Sequence, residues 1–187
     1  MVRPEKPMKS IMPKNLIMEG RIKTEYKTTD ELKVLFDRNH KETSAFLKRL
    51  AVKKPKNLDT VVHQMHEQTF SEFSCLACAN CCKTLGPRLT DRDIERLAKH
   101  LRIKLSDFSE KYLSADEDND YIFNSHPCPF LMDDNRCMVY DQRPKACREY
   151  PHTDRKRFYQ ILNLTHKNIE TCPAVYTIIE NLKKLEW

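Results

Sequence analysis

The sequence predicts a mainly α fold: a small, irregular helical domain carrying one short β-hairpin. Two observations predict it. Apolar residues recur at helical spacing in stretches beginning at Leu32, Val61, Ile94 and Val175. Two of these stretches open on a Thr with an acidic residue three positions later, the signature of a helix N-terminus whose side chains satisfy each other's free amides.

Taken in order, residues 1–27 read as an irregular basic tail with three prolines and scattered lysines. Thr28 and Glu31 form the first capping box. Leu32, Leu35, Phe36, Phe46, Leu47 and Leu50 give an imperfect apolar stripe, which Lys53-Lys54-Pro55-Lys56 ends. A second helix is expected near 58–73, with Val61, Val62, Met65, Phe70 and Phe73 apolar. Together these make residues 28–72 a helical extension, and 73–187 a cysteine-cluster metal-binding domain. Within that domain, Thr90 and Asp93 cap a helix whose Ile94, Leu97, Ala98 and Leu101 share one face. A short helix follows from Ser106 to Tyr112, then an acidic turn at 116–120. Tyr121–Phe123 and Met138–Tyr140 are the candidate strands, with a turn at 133–135. Residues 155–166 fit helix or strand. Val175, Ile178, Ile179 and Leu182 mark a last helix, and the cysteines are expected mainly in the loops.

Composition narrows the function. The chain has 187 residues, a formal charge of +6, and only two glycines, Gly20 and Gly86. Phosphate-cradling loops need two or three close glycines, so a P-loop or dinucleotide fingerprint is absent. No run of about 18 apolar residues occurs, so no membrane span is expected. The N-terminus lacks the apolar core of a secretory signal, which makes the cytoplasm, where thiols stay reduced, the expected location. Residues 1–60 hold 15 Lys/Arg against 8 Asp/Glu; residues 61–187 hold 18 against 19. The basic charge therefore lies outside the cysteine region. A basic arm can bind nucleic acid or an acidic partner, but without aromatic–basic alternation a solvated extension is the expectation.

The eight cysteines carry the chemistry. Cys75, Cys78, Cys81 and Cys82 form C-x2-C-x2-C-C. Cys128, Cys137, Cys147 and Cys172 follow in P-C-P-F-L, R-C-M-V-Y, R-P-K-A-C-R-E-Y-P and C-P. A disulfide framework suits the even count, but no export signal is present, and four cysteines within eight residues pair poorly among themselves. Unligated core cysteines explain single members, not two C-x2-C steps sharing a cysteine. Metal explains the run: a C-x2-C step turns two sulfurs toward one centre, and zinc sites and iron–sulfur clusters both take four thiolates. Eight thiols suit two such centres, or one centre with four spare thiols. Adjacent Cys81 and Cys82 point different ways and can serve one centre each.

The order C-x2-C-x2-C-C, P-C-P-F-L, C-x-V-Y-x2-R-P-x2-C-R-x-Y-P and C-P resembles the YkgJ-like cysteine-cluster family, described as zinc- or iron-chelating domains and as iron–sulfur-cluster-containing proteins. The resemblance covers roughly Phe73 to Val175. It implies that all eight cysteines are metal ligands; Cys128, Cys137, Cys147 and Cys172 depend on it more than the first four. It leaves zinc and iron open.

Buried thiolate charge needs compensation. Arg88, Arg136, Arg143 and Arg148 are near cysteines in sequence, and Arg143 and Arg148, which match the family's R-P-x2-C-R segment, are the candidate cofactor-binding residues. Pro127, Pro129, Pro144, Pro151 and Pro173 restrict the ligand loops. His126 and His152 flank cysteines, though with eight thiols neither is needed as a ligand. The first functional expectation is an iron–sulfur protein in electron transfer or redox chemistry, with a redox or protein partner. The alternatives are a structural zinc interaction module and a protein-modifying enzyme, since the resemblance reaches distantly to flagellin lysine methylases.

Overall fold

The computed structural model describes residues 24–187, so most of the 1–27 tail lies outside it. Helix α1 (Thr29–Lys53) opens on the Thr28–Glu31 box, with both reciprocal hydrogen bonds made. It ends at Lys54, whose left-handed backbone breaks the amide ladder. Helix α2 (Leu58–Glu72) follows. Two short helices, α3 (Cys75–Cys78) and α4 (Asn80–Thr84), carry the first four cysteines. Next come α5 (Asp91–Leu101), α6 (Leu105–Tyr112) and strands β1 (Leu113–Ala115) and β2 (Tyr121–Phe123). Helix α7 (Lys145–Glu149), a 3-10 turn at Phe158–Ile161, α8 (Leu162–Asn168) and α9 (Pro173–Lys183) complete the chain. The fold is mainly α with one short antiparallel hairpin.

Three expectations need correction. The hairpin partner of Tyr121–Phe123 is Leu113–Ala115, with Leu113 opposite Phe123, rather than residues 138–140. The acidic run closes this hairpin, because the Asp116 carboxylate accepts from the amides of Asp118 and Asp120. Residues 138–140 instead follow an isolated bridge between Leu131 and Cys137, around the expected turn at 133–135. The cysteines are also not mainly in loops. Five stand on α3, α4 and α7, whose four or five residues are too few to show a period.

Two apolar cores result. In the larger, α1 and α2 pack on α8 and α9, burying Leu50, Val62, Phe158, Ile178, Ile179 and Leu182. The smaller is built from α5, α6 and the hairpin with Phe130 and Val139. Its centre is aromatic: Phe130 lies 5.4 Å from Phe123 and 5.0 Å from Tyr112 between ring centroids.

The cysteine centre and its family

The first four cysteines are oriented by the joint between α3 and α4. Ala79 ends α3 and precedes α4 in a left-handed conformation (φ 52°) that L-residues adopt at a cost of about 1–2 kcal/mol. Ala79 is buried, and this turn redirects the chain between the Cys75/Cys78 pair and the Cys81/Cys82 pair. Asn80 then fixes α4. Its side-chain amide donates to the carbonyls of Lys27 (2.7 Å) and Thr171 (3.2 Å). Thr171 directly precedes Cys172, so Asn80 ties the adjacent cysteines to the remote one. Cys172 is itself the residue before Pro173, the first residue of α9, where a missing amide proton costs nothing.

The other remote cysteines are drawn to Cys82. The Cys128 amide donates to the Cys82 carbonyl at 2.8 Å. A narrow loop then returns Cys137 beside Cys128, with the Met132 amide bonded to the Arg136 carbonyl and the Met138 amide to the Phe130 carbonyl. Helix α7, carrying Cys147, is held by α5. Asp93, 1% exposed, accepts from the Lys145 amide at 3.0 Å and from Arg96 at 2.6 Å. Arg96 donates onward to the Arg143 carbonyl at 2.9 Å. Burial opposes the Asp93 charge, yet hydrogen bonds from Thr90, Arg96 and Lys145 hold its carboxyl below the ordinary range.

The electrostatic neighbours of each sulfur divide the eight cysteines in two. Cys172, fully buried and pushed up to about 12 by desolvation, feels Cys75 and Cys78. Cys81 feels Cys172 and Cys75 as well as its neighbour Cys82. Cys147, raised to about 12 by burial, feels Cys82, Cys128 and Cys137. Cys128, raised by burial to about 11, feels Cys82 and Cys137. Cys75, Cys78, Cys81 and Cys172 thus lie on one side and Cys128, Cys137 and Cys147 on the other, with Cys82 acting on members of both. The links between the groups pass through Cys82, with Cys75, Cys78 and Cys81 as its neighbours on the other side. The neighbouring Cys81 thiol pulls the Cys82 pKa down, and Cys82 together with burial pushes Cys81 up. All eight cysteines are free thiols. Among the described residues, no three or more His, Cys, Asp or Glu side chains stand together in an arrangement that could hold a metal ion.

The candidate arginines separate. Arg143 acts on the sulfurs of Cys75, Cys82, Cys137 and Cys147 while its guanidinium stacks 3.6 Å from the Tyr140 ring. Arg148 supports it by donating to the Arg143 carbonyl at 2.9 Å. Arg88 pairs with Asp120 and Arg136 with Asp134, so these two charges are directed at carboxylates. His126 is exposed, with its ring 3.4 Å from where a Cβ on Gly86 would stand. His152 is half-buried, and desolvation lowers its pKa.

Sequence reasoning missed Asn80, Ala79, Lys83 and Tyr150. Lys83 lowers the Cys78 and Cys82 thiols; its place directly after the Cys-Cys pair was the available signal. Tyr150 packs on the large core near Cys78, and burial first, then Cys172, Cys81, Cys78 and Cys75, pushes its phenol up. Its signal was the R-E-Y-P segment around Cys147.

Among the described residues, no helix is long and apolar enough to cross a membrane. No curated protein and no solved structure matches the chain. A family model does match residues 74–173, a span of more than half the chain that holds all eight cysteines. The chain belongs to the CxxCxxCC family, described as a putative zinc- or iron-chelating domain.

Proposed function

We propose that this protein holds two four-cysteine metal centres, that both are iron–sulfur clusters, and that it serves electron transfer or redox chemistry. The observation that supports the reading is that the free thiols Cys75, Cys78, Cys81 and Cys172 lie on one side of Cys82 and Cys128, Cys137 and Cys147 on the other; assigning Cys82 to the second set gives two sets of four. The donor chemistry fits: all-thiolate sets suit iron–sulfur clusters, and a C-x2-C-x2-C run with a remote Cys-Pro is a ferredoxin-type ligand pattern. Cys75, Cys78, Cys81 and Cys172 hold the first centre; Cys82, Cys128, Cys137 and Cys147 hold the second. Such clusters, when bound, supply one-electron transfer at a potential set by charge, hydrogen bonds and exposure. The protein's own part is to supply cations and to limit solvent. Arg143 and Lys83 offset thiolate charge on the Cys82 side, and the larger core shields Cys172. We place the protein in the cytoplasm, where reduced thiols remain available for metal.

Zinc is the second reading, and the size of the smaller core favours it. Nine buried apolar residues make a weak core, and structural zinc contributes folding free energy directly. Elemental analysis of protein purified without oxygen, read beside its visible spectrum, separates the two. Iron and acid-labile sulfide in a brown protein support the clusters. A colourless protein with two equivalents of zinc and no iron overturns them while keeping two centres. One equivalent of any metal overturns the two-centre division.

A further inference from the structure

Tyr150 caps the end of α7, three residues after Cys147. It packs against the large core, of which Cys172 is a member and against which Cys78 also packs. Its hydroxyl is buried and has no hydrogen-bond partner, which is uncommon for a buried polar atom and calls for a reason. Beside burial, the largest influences on this phenol come from the sulfurs of Cys172, Cys81, Cys78 and Cys75, the four of the first group. A phenol titrates near pH 10 and is a donor at neutral pH. Thiolates and the sulfides of a cluster are acceptors, and outer hydrogen bonds to them tune both affinity and potential.

We propose that the Tyr150 hydroxyl is the hydrogen-bond donor to the sulfur centre of Cys75, Cys78, Cys81 and Cys172. The proposal rests on the two-centre reading above. The cations act on both sides, Arg143 on Cys75 and on three sulfurs of the second centre and Lys83 on Cys78 and Cys82, and Tyr150 adds a neutral buried donor at the first centre. The two centres therefore differ in stability and, for iron, in potential, because one chain surrounds them with unlike groups. Tyr150 is a positioning and tuning residue and is not a ligand.

The test compares wild type with Tyr150→Phe, which removes one oxygen and keeps the ring. Metal release to excess chelator is followed in both full-length proteins after anaerobic loading. Wild type is expected to hold metal at both centres and to release it in two phases. Tyr150→Phe is expected to keep the same loading and thermal midpoint but to release one phase on the order of tenfold faster. With iron bound, one midpoint potential also moves negative. Unchanged release in the variant overturns the donor role, and equal acceleration of both phases does so as well. A single metal centre in wild type overturns the two-centre reading instead, which keeps the two failures distinct. A measurement on unaltered protein guards against a variant that does not fold. In zinc-loaded wild type, the Tyr150 hydroxyl proton is expected to exchange with water more slowly than in metal-free protein. Equally fast exchange in both states overturns the proposal.

Discussion

The two cores of this molecule are built to different standards. The larger joins α1 and α2, of 25 and 15 residues, to α8 and α9 from the other end of the described chain, and its buried residues include Val62, Ile178, Ile179 and Leu182 at 0% exposure. The smaller has nine buried apolar residues, two short helices and a hairpin of three-residue strands. Each borders cysteines: Cys172 and Cys78 belong with the larger, Cys128 and Cys137 pack against the smaller. If the proposed two centres form, the difference teaches that metal should carry more structural weight at the second group, whose loops border the smaller core and are anchored mainly by polar contacts.

Metal removal should break this comparison most visibly. A structural zinc site supplies about 10 kcal/mol of apparent binding free energy at neutral pH. Chelation should therefore expose the amides of Ile94, Leu97, Phe108 and Phe123 to hydrogen exchange while those of Val62, Ile178 and Leu182 stay protected. Equal loss of protection in both cores would erase the distinction. The metal-free protein should also carry a pH signature. Cys172, raised from 9.0 to about 12, keeps its proton in the fold after the unfolded chain has lost it. The folded state then binds more protons, so stability should fall as pH rises from about 9 toward about 12, by on the order of a few kcal/mol. Urea titrations across that range measure the slope.

Cavities should sharpen the contrast further. Phe130→Ala removes the residue on which Phe108, Tyr112 and Phe123 converge, and is expected to cost about 3–5 kcal/mol. Ile178→Ala in the larger core carries a similar cost, about 2–5 kcal/mol. The readout is which region melts. Phe130→Ala should release metal from the second group while the large core stays folded; Ile178→Ala should lower the stability of the whole chain. The same pattern in both variants would mean a single cooperative unit.

The capping boxes give the smallest and most controlled test, because the same motif occurs once in each region. Glu31 is exposed and, among the described residues, its hydrogen bonds lie within its own cap, so Glu31→Ala should cost under about 1 kcal/mol. Asp93 also accepts from Arg96 and the Lys145 amide, so Asp93→Ala strands a part-buried guanidinium and loosens α7. A loss of about 3 kcal/mol is expected by urea denaturation. Since the Asp93 pKa is lowered in the fold, its contribution is present above the unfolded value of 3.8 and is lost as pH falls through the folded value. Equal costs for the two substitutions would show that Asp93 acts as a cap alone.

Much of the fold was legible in the sequence. Both capping boxes, the break at Lys53-Lys54-Pro55 and the apolar face of Ile94, Leu97 and Ala98 are local signals, set by interactions within four residues. The hairpin was half legible: Tyr121–Phe123 reads as a strand, but Leu113–Ala115 directly continues a helix and has no alternation of its own. Helices α3, α4 and α7 were invisible because one turn has no period.

The sequence by itself determined that Cys75, Cys78, Cys81 and Cys82 form one constellation, since their spacing places them within two turns of chain. It also led to the expectation that neighbouring Cys81 and Cys82 face different ways, whereas in the fold the two thiols lie within reach of each other. Only the tertiary structure decided which distant cysteines join each side. Cys172 reaches Cys81 through Asn80 and Thr171, and Cys128 reaches Cys82 through one amide–carbonyl bond. Those choices depend on contacts between residues 46 to 91 positions apart, and chain order alone does not encode which distant partners a hydrogen-bonding group will meet.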